Sequence, residues 1–467
     1  MEKLALLTAE ESEKQFSGPS EFSHLHCHTL FSILDGVAAP DDYFKACVER
    51  NWPAVAITEH GVLNSVPDAY LASKEFKKKY IVGCEIYFND YELKRRELAT
   101  TGVKVSELRT SDPELAMRIG RNRHLTVLCK NMVGYQNLLR LNKYAWENGF
   151  YYKPRIWFDQ LAKHREGLII LSGCFNGPVS HELRNNNFSQ KSGSPYTGAV
   201  DYVKKFKEVF GDDYYVELQM PGVDGDIELF QQLAAVADHF KIKTVISNDC
   251  HYLNRNDFEI QRLMMAIDQK VTVNDPNLFH VNSDDQYLKT RHELRATFVR
   301  RGFKDVTSSD LFERSCDNTL EVADKCTTFK PNLDPKLPNI INAKETLVYM
   351  VAEGLRKRGL HKDKNKYFID GVMVTHLEQA QIELSRIIEK GFESYFLITE
   401  DLIKCSKSHK WPIGPARGSS GGSLVCYLIG IQSLNPLFWG LSFNRFLSPA
   451  RGGWMQTVQM PKIEVKT

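Results

Sequence analysis

At 467 residues, with 42% hydrophobic and 25% charged residues, the chain has the balance of a globular protein and is too long for one ordinary core, so two or three domains are expected. Sixty Lys and Arg against 58 Asp and Glu give a formal net charge of +2, which excludes a global field drawing the chain onto nucleic acid or membrane and leaves any basic surface local. No apolar run has the length of a membrane span, the start "MEKLALLTAEESEKQ" is unlike a signal peptide, and the ten cysteines include no CxxC pair; these features argue against a membrane protein, a disulfide framework and a zinc ribbon, and point to the cytoplasm (a host's cytoplasm for a viral chain).

The first distinctive element, "HLHCHTLFSILDG" at residues 24–36, sets His24, His26 and His28 on alternate positions, with Asp35 following. On an extended strand the three imidazoles share one face, and Leu25 and Cys27 share the other. Such a row is costly to bury, so it marks either a solvated edge strand or a site to which other segments bring partners. Apolar runs then alternate with amphipathic stretches to about residue 250. Strands are expected at "FSHLHCHT", "PAVAIT", "YIVGCEI", "HLTVLCK", "GLIILSG", "YYVELQ" and "KTVISND", with helices such as "PDDYFKACVERN" and "AVDYVKKFKEVFG" between most of them. This pattern predicts an α/β domain with barrel-like closure, and "NNNFSQKSGSPYTG" reads as a loop.

Polar residues fall at the ends of these runs. His60 follows "AVAIT", Glu85 ends "YIVGC", Cys174 follows "LIILSG", and Asp249 and His251 follow "TVIS". In a parallel α/β barrel the carboxyl ends of the strands converge on one mouth, which makes neighbours of residues far apart in sequence. His124 stands instead at the start of its run, so its strand must differ in direction or register. Taken singly, each residue has a plain structural explanation, such as a helix cap for Asp or a small buried hydrophobe for Cys174. Together they offer imidazoles, carboxylates and a thiolate, a set suited to Zn, Mn or Fe. More than four ligands implies more than one ion, with Glu85 available as a bridge.

"HLHCHTLFSILDG", "ITEHG", "GCE", "HLTVLCKN", "SGCFNG" and "NDCHYL", in this order, resemble the PHP (polymerase and histidinol phosphatase) domain of bacterial and phage DNA polymerase III alpha subunits, the C-family replicative polymerases. The resemblance implies a distorted seven-stranded (β/α) barrel over residues 22–275, after an N-terminal extension at 1–21. It implies two or three divalent ions (Zn, Mn or Fe) held by His26, His28, Asp35, His60, Glu85, His124, Cys174, Asp249 and His251. The catalytic group implied is a hydroxide held by metals in that cluster, and the activity a metal-dependent 3′–5′ exonuclease or phosphoesterase serving proofreading. Glu59 stands where the family usually has Asp, a change expected to affect support of the ligands more than ligation itself. His24 has no ligand role in the family and is expected to be structural or supporting.

From residue 276 to 467 the resemblance continues into an α+β partial polymerase palm of nucleotidyltransferase type, carried by "QYLKTRHEL", "NTLEVADKC", "IELSRIIEKGFESYFLITEDLIKCSKSHKWPIGPARGSSGGSLVCYLIGI" and "NPLFWGLSFNRFLSP". The loop of Gly414, Arg417, Gly418, Ser419, Ser420, Gly421, Gly422 and Ser423 lets backbone N–H groups approach phosphate, and Arg417 adds charge. It lacks the Lys of a Walker A loop, and in the family it helps hold the incoming nucleotide's triphosphate. Ala416 replaces a usual glycine. The family places Mg-binding aspartates after the "RFLxP" element. Here "MPKIEVK" either puts Lys462, Glu464 and Lys466 at those positions or begins an insertion. The expected partners are DNA, replisome components and a second polypeptide carrying the rest of palm, thumb and fingers, without which synthesis is not expected. The competing readings are a phosphoesterase of small phosphorylated metabolites and a replisome scaffold with structural metals.

Overall fold

Runs such as "AVAI" and "LIIL" lack polar alternation because both of their faces are covered. In the computed structural model, which describes residues 20–189, 197–278, 283–301, 310–327, 329–332 and 338–448, every residue of these two strands is buried. Compactness divides the chain into two units, Met1–Asn332 and Leu333–Thr467.

The first unit holds an eight-stranded sheet: β1 (Ala54–Ile57), β2 (Lys79–Phe88), β3 (Arg123–Cys129), β4 (Phe150–Tyr151), β5 (Lys153–Ile156), β6 (Leu168–Leu171), β7 (Tyr214–Leu218) and β8 (Thr244–Ile246). The path runs β4-β5-β2-β3-β6-β7-β8, and β1 pairs with β2. Most pairs are parallel, but β3 runs antiparallel to both β2 and β6. This reversal accounts for His124, since the start of β3 lies beside the end of β2, where Tyr87 faces His124.

The strand expected at residues 22–29 forms isolated bridges instead, His24 to Val55 and Cys27 to Cys250. Ala56 N–H donates to His24 O (2.8 Å), and His28 N–H donates to Cys250 O (2.7 Å). The segment therefore ties the β1 end of the curled sheet to the β8 end, as a barrel requires. The helices expected at 40–51 and 199–211 are present as Pro40–Glu49 and Ala199–Phe210. The first has Pro at its start and two acids in its first turn, where each is favoured. Of the expected loop at 185–198, residues 190–196 lie outside the described residues.

Compactness places the boundary at Asn332/Leu333, beyond the expected 275/276, for a packing reason. Alternate strand residues Ala54, Ala56, Ile81, Leu128, Ile169, Leu171, Tyr215 and Val245 form one core with Val322, Ala323 and Cys326. The helix Leu311–Lys325 is further fixed to β8 by Asn318, whose Nδ2 donates to Thr244 O at 2.8 Å.

Among its described residues the second unit is mainly helical. Helices Ala343–Lys357, His376–Glu389 and Glu393–Ser408 enclose a core that includes Leu347, Leu384, Ile387, Phe396 and Leu424, beside a hairpin of β9 (Tyr367–Ile369) and β10 (Val372–Val374). No helix among the described residues is long and apolar enough to cross a membrane.

Candidate metal centre

All nine predicted ligands converge on one mouth of the first unit. His60 follows β1, Glu85 lies on β2, His124 begins β3, Cys174 follows β6, and Asp249 and His251 follow β8. Asp249 takes φ 47°, a left-handed conformation that Asp tolerates better than most residues, and its carboxylate enters the cluster.

Glu85 is the centre. Its Oε1 lies 3.0 Å from His124 Nδ1 and 3.4 Å from His26 Nε2, and its Oε2 lies 2.6 Å from His60 Nδ1 and 3.6 Å from His28 Nε2. Asp249 Oδ1 stands 3.3 Å from His26 Nε2 and 3.2 Å from His28 Nε2. Asp35 Oδ2 is shared by His60 Nε2 (3.0 Å) and His251 Nε2 (3.5 Å), and Cys174 Sγ lies 3.6 Å from His124 Nδ1. The imidazole of His28 packs against those of both His60 and His251, with ring centroids 4.1 and 4.5 Å away.

These contacts leave His26 Nε2, His28 Nε2, His60 Nδ1, Asp249 Oδ1 and both Glu85 oxygens buried with no hydrogen-bond partner among the described residues. Buried polar atoms are ordinarily satisfied, so lone pairs aimed at one volume call for cations. The mixture of imidazole, carboxylate and thiol donors fits divalent transition metals. His28 with His60 and His251, His26 with His28 and Glu85, and His60 with Glu85 and His124 each offer three donor atoms within 4.8 Å of one another.

The buried groups of the cluster shift one another's ionisation. Burial would raise the Glu85 carboxyl, but the imidazoles of His124, His60 and His26 hold it well below the usual carboxylate range. Burial would lower His60, but Glu85 and Asp35 bring it up to about 10. Burial, with His60 and His251 alongside, pushes His28 down to about 3. Burial also pushes the Cys174 thiol well up.

The supporting groups are equally specific. His26 Nδ1 bonds Glu217 Oε1 at 2.7 Å, which turns Nε2 toward the cluster. Glu217 also accepts from Thr126 Oγ1 (3.2 Å), Gln219 Nε2 (2.9 Å) and Ser247 Oγ. Sequence reasoning missed Glu217; its signal was a lone acid inside the otherwise apolar run "YYVEL". Glu59 reaches the cluster through hydroxyl groups. It accepts from Thr29 Oγ1 (2.5 Å) and Ser32 Oγ (2.5 Å), and Ser32 Oγ lies 3.0 Å from His28 Nδ1.

His24 does not share the face of His26 and His28. Its Nε2 donates to Lys289 O (2.8 Å), and its Nδ1 lies 3.4 Å from Cys250 Sγ. His24 and Cys27 both approach Cys250, so the expected alternation breaks between residues 24 and 27, where isolated bridges replace a regular strand. Asp35 and His60, with side chains 28% and 15% exposed, are the open edge of the cluster. They line a cavity of about 530 Å³ with His124, Tyr87, Trp146 and Phe150.

In the second unit the expected nucleotide loop divides into two parts. Gly414, Arg417, Gly418 and Ser419 are exposed and Ser420 is half-buried, whereas Gly421, Gly422 and Ser423 are buried. A Cβ on Gly422 would lie 2.3 Å from Ser442 O, so glycine is needed there for backbone packing. Ser423 caps the short helix Leu424–Leu428 and donates to Glu383 Oε2 at 2.8 Å. The same carboxylate accepts from Leu424 N–H (2.9 Å), Val425 N–H (3.0 Å) and Gln379 Nε2 (2.9 Å). Lys462, Glu464 and Lys466 lie outside the described residues.

Comparison with known proteins adds two matches. A PHP domain model matches residues 24–221, and a model described as the bacterial DNA polymerase III alpha NTPase domain matches residues 345–465. The DNA polymerase III subunit alpha of Aquifex aeolicus is 33% identical over 455 residues, covering 95% of this chain and 36% of that protein. Those of Borreliella burgdorferi and Thermus aquaticus are 32% and 30% identical, covering 96% and 95% of this chain and 35% and 38% of the relatives. The chain thus spans little more than a third of the length of these relatives. Both family matches fall on one chain that aligns with these subunits along nearly its whole length, so the chain combines a PHP domain with a DNA polymerase III alpha NTPase domain and is a homologue of part of these subunits.

Proposed function

We propose that the cluster in the first unit is a metal-dependent phosphodiesterase centre that removes nucleotides from the 3′ end of DNA, in a protein that serves DNA replication. The observation that carries this reading is Glu85, buried, with each oxygen facing two imidazoles and neither oxygen hydrogen-bonded. Glu85 would hold divalent ions together with His26, His28, Asp35, His60, His124, Cys174, Asp249 and His251. Zn, Mn or Fe bound there would supply Lewis acidity toward a phosphoryl oxygen and lower the pKa of water.

The chain's own groups do the rest. Glu217 and Ser32 fix the ring orientations of His26 and His28. Asp35 holds a proton on His60 Nε2 at the open edge, the side from which a substrate phosphate enters. The buried floor of His26, His28 and Glu85 keeps bulk water from the donor atoms. DNA and replisome components are the partners this reading assigns. In the second unit it assigns triphosphate contact to the exposed residues Gly414, Arg417, Gly418 and Ser419 with half-buried Ser420, and a scaffolding role to Gly421, Gly422 and Ser423.

The test is digestion of single-stranded DNA labelled at either end, with Mn²⁺ or Zn²⁺ supplied. Shortening from the 3′ end is expected, lost on chelation and in His26→Ala, His60→Ala and Asp249→Ala with the far-ultraviolet spectrum retained. Activity unchanged in all three variants would assign the nuclease elsewhere. Stoichiometric metal without hydrolysis of any phosphodiester would make the centre structural.

A further inference from the structure

Beside the metal mouth stands a group of exposed aromatic side chains that neither the core nor the ligand set explains. β4 and β5 form a tight hairpin, Phe150 opposite Pro154 and Tyr151 opposite Lys153, with Tyr152 at its tip. Trp146 stacks on Phe150, with ring centroids 5.5 Å apart and planes at 26°. Trp146, Phe150 and Tyr152 are 48%, 51% and 80% exposed, a large apolar surface to leave in water at one spot. Tyr152 also takes φ 62°, a backbone conformation unfavourable for a bulky residue, so a ring is held at this tip against local preference.

The shelf is tied to the metal centre. Trp146 Nε1 donates to Gly61 O (3.2 Å), and so does Asn142 Nδ2 (2.8 Å); Gly61 directly follows the ligand His60. All three rings line the cavity of about 530 Å³ onto which His60, His124 and Asp35 open. Tyr152 also lines a second cavity, of about 700 Å³, with Tyr151, Arg95, Lys104 and Arg109. Arg95 is paired with Glu92, whereas Lys104 and Arg109 are exposed and enter no ion pair among the described residues. A ligand leaving the metal mouth over Tyr152 thus passes from flat apolar rings to cations.

That sequence of surfaces suits one class of ligand. We propose that Trp146, Phe150 and Tyr152 form a stacking shelf for the terminal bases of a single-stranded polynucleotide whose phosphate chain continues toward Lys104 and Arg109. Aromatic faces accept any base, and cations follow the backbone, so the site binds single strands with little sequence preference. A small phosphorylated metabolite would use neither the shelf nor the basic cavity. The inference deepens the nuclease reading and rests on it for the position of the scissile phosphate.

Binding rather than cleavage tests it. The metal-loaded full chain is titrated with an oligodeoxynucleotide that carries 2-aminopurine at its 3′ terminus and a phosphorothioate at its last linkage. Stacking quenches the probe in the wild-type protein. Trp146→Leu and Tyr152→Gly, the latter compatible with the left-handed backbone, should each weaken binding about tenfold and restore fluorescence, while Trp146→Phe keeps both near wild type. Joint replacement of Lys104 and Arg109 by Ala should lower the slope of log affinity against log salt by about 1.4. Wild-type affinity and quenching in Trp146→Leu and Tyr152→Gly would overturn the shelf, and an unchanged salt slope would overturn the backbone path. Shelf-dependent binding by a protein that fails to shorten unmodified DNA leaves the shelf standing and removes the nuclease. Cleavage that ignores the shelf substitutions does the reverse.

Discussion

The metal centre of the first unit and the glycine-rich loop of the second both look like anion or cation sites in the sequence, yet their polar atoms are used in opposite ways. At the metal centre six buried donor and acceptor atoms from His26, His28, His60, Glu85 and Asp249 point into one volume with no hydrogen-bond partner. At the loop, the Leu424 and Val425 N–H groups and the Ser423 hydroxyl all reach the carboxylate of Glu383. The N-terminus of the Leu424–Leu428 helix already holds a carboxyl group supplied by the chain. Unpaired polar atoms from several side chains that converge on one buried volume mark a candidate binding site, whereas polar atoms bonded within the chain mark architecture.

The largest effect that could break this contrast is at Glu85. Glu85→Ala removes the one group facing four imidazoles, so we expect metal stoichiometry by elemental analysis to fall by at least one ion per chain. Phosphodiester hydrolysis should fall by more than about a hundredfold, beyond the 10- to 100-fold typical of losing a supporting group. Retained stoichiometry would show that the orphaned atoms are not ligands. Glu217→Gln sharpens the same side at a smaller scale. It keeps the size but weakens acceptance from His26 Nδ1, and should cost about 10- to 100-fold in metal affinity by titration, with all ligands intact.

Why the two sites differ in how far they can be read from sequence follows from the same contrast. The proposed ligands His60, Glu85, Cys174, Asp249 and His251 sit at ends of apolar runs, so the spacing pattern exposed them, and the misfit of His124 signalled the reversed β3. Glu217 escaped because it lies inside a strand, where an acid is explained by partners brought from other segments, namely His26, Thr126 and Ser247. The failure of alternation at His24 was likewise hidden, because bridges to Val55 on one side and Cys250 on the other are set by barrel closure rather than by local preference. In the second unit, Gly and Ser content suggested an accessible cradle. It could not show that Gly421 is buried, that Gly422 packs against Ser442 or that Ser423 bonds Glu383, since Ser442 and Glu383 lie some distance away along the chain.

Glu383 offers the reciprocal test. Glu383→Ala leaves two backbone donors, a hydroxyl and the Gln379 amide without their acceptor, a loss of about 2–3 kcal/mol. We expect it to lower the stability of the second unit, read as reduced amide-exchange protection of Leu424 and Val425. The wild-type group also carries a pH signature. Burial raises Glu383 to about 7 against an ordinary 4.5, despite its four donors. A folded-state value above the unfolded one means that the native state retains the proton longer, so stability is greatest below about 4.5 and declines as pH rises through 7. The ceiling on that decline is about 3 kcal/mol. After correction for intrinsic exchange rates, protection at Leu424 and Val425 should fall between pH 5 and 8 in the wild type and stay flat in Glu383→Ala.

The smallest expected effect separates the two parts of the loop. Arg417 is exposed, and a triphosphate reaching the loop would meet Arg417, Gly418 and Ser419 before the buried residues. A solvent-exposed charge contributes modestly, so Arg417→Ala should weaken binding of a deoxynucleoside triphosphate by roughly three- to tenfold in calorimetry, with stability unchanged. Ser423→Ala should do the opposite. It removes the cap on Cys426 N–H and the bond to Glu383, costing about 1 kcal/mol of stability, and leaves triphosphate affinity per folded molecule within twofold of wild type. If Ser423→Ala instead weakens triphosphate binding as much as Arg417→Ala without loss of stability, the cap is also a ligand contact. The internal satisfaction of the loop would then describe only its resting arrangement, and the contrast with the metal centre would narrow to the six atoms around Glu85.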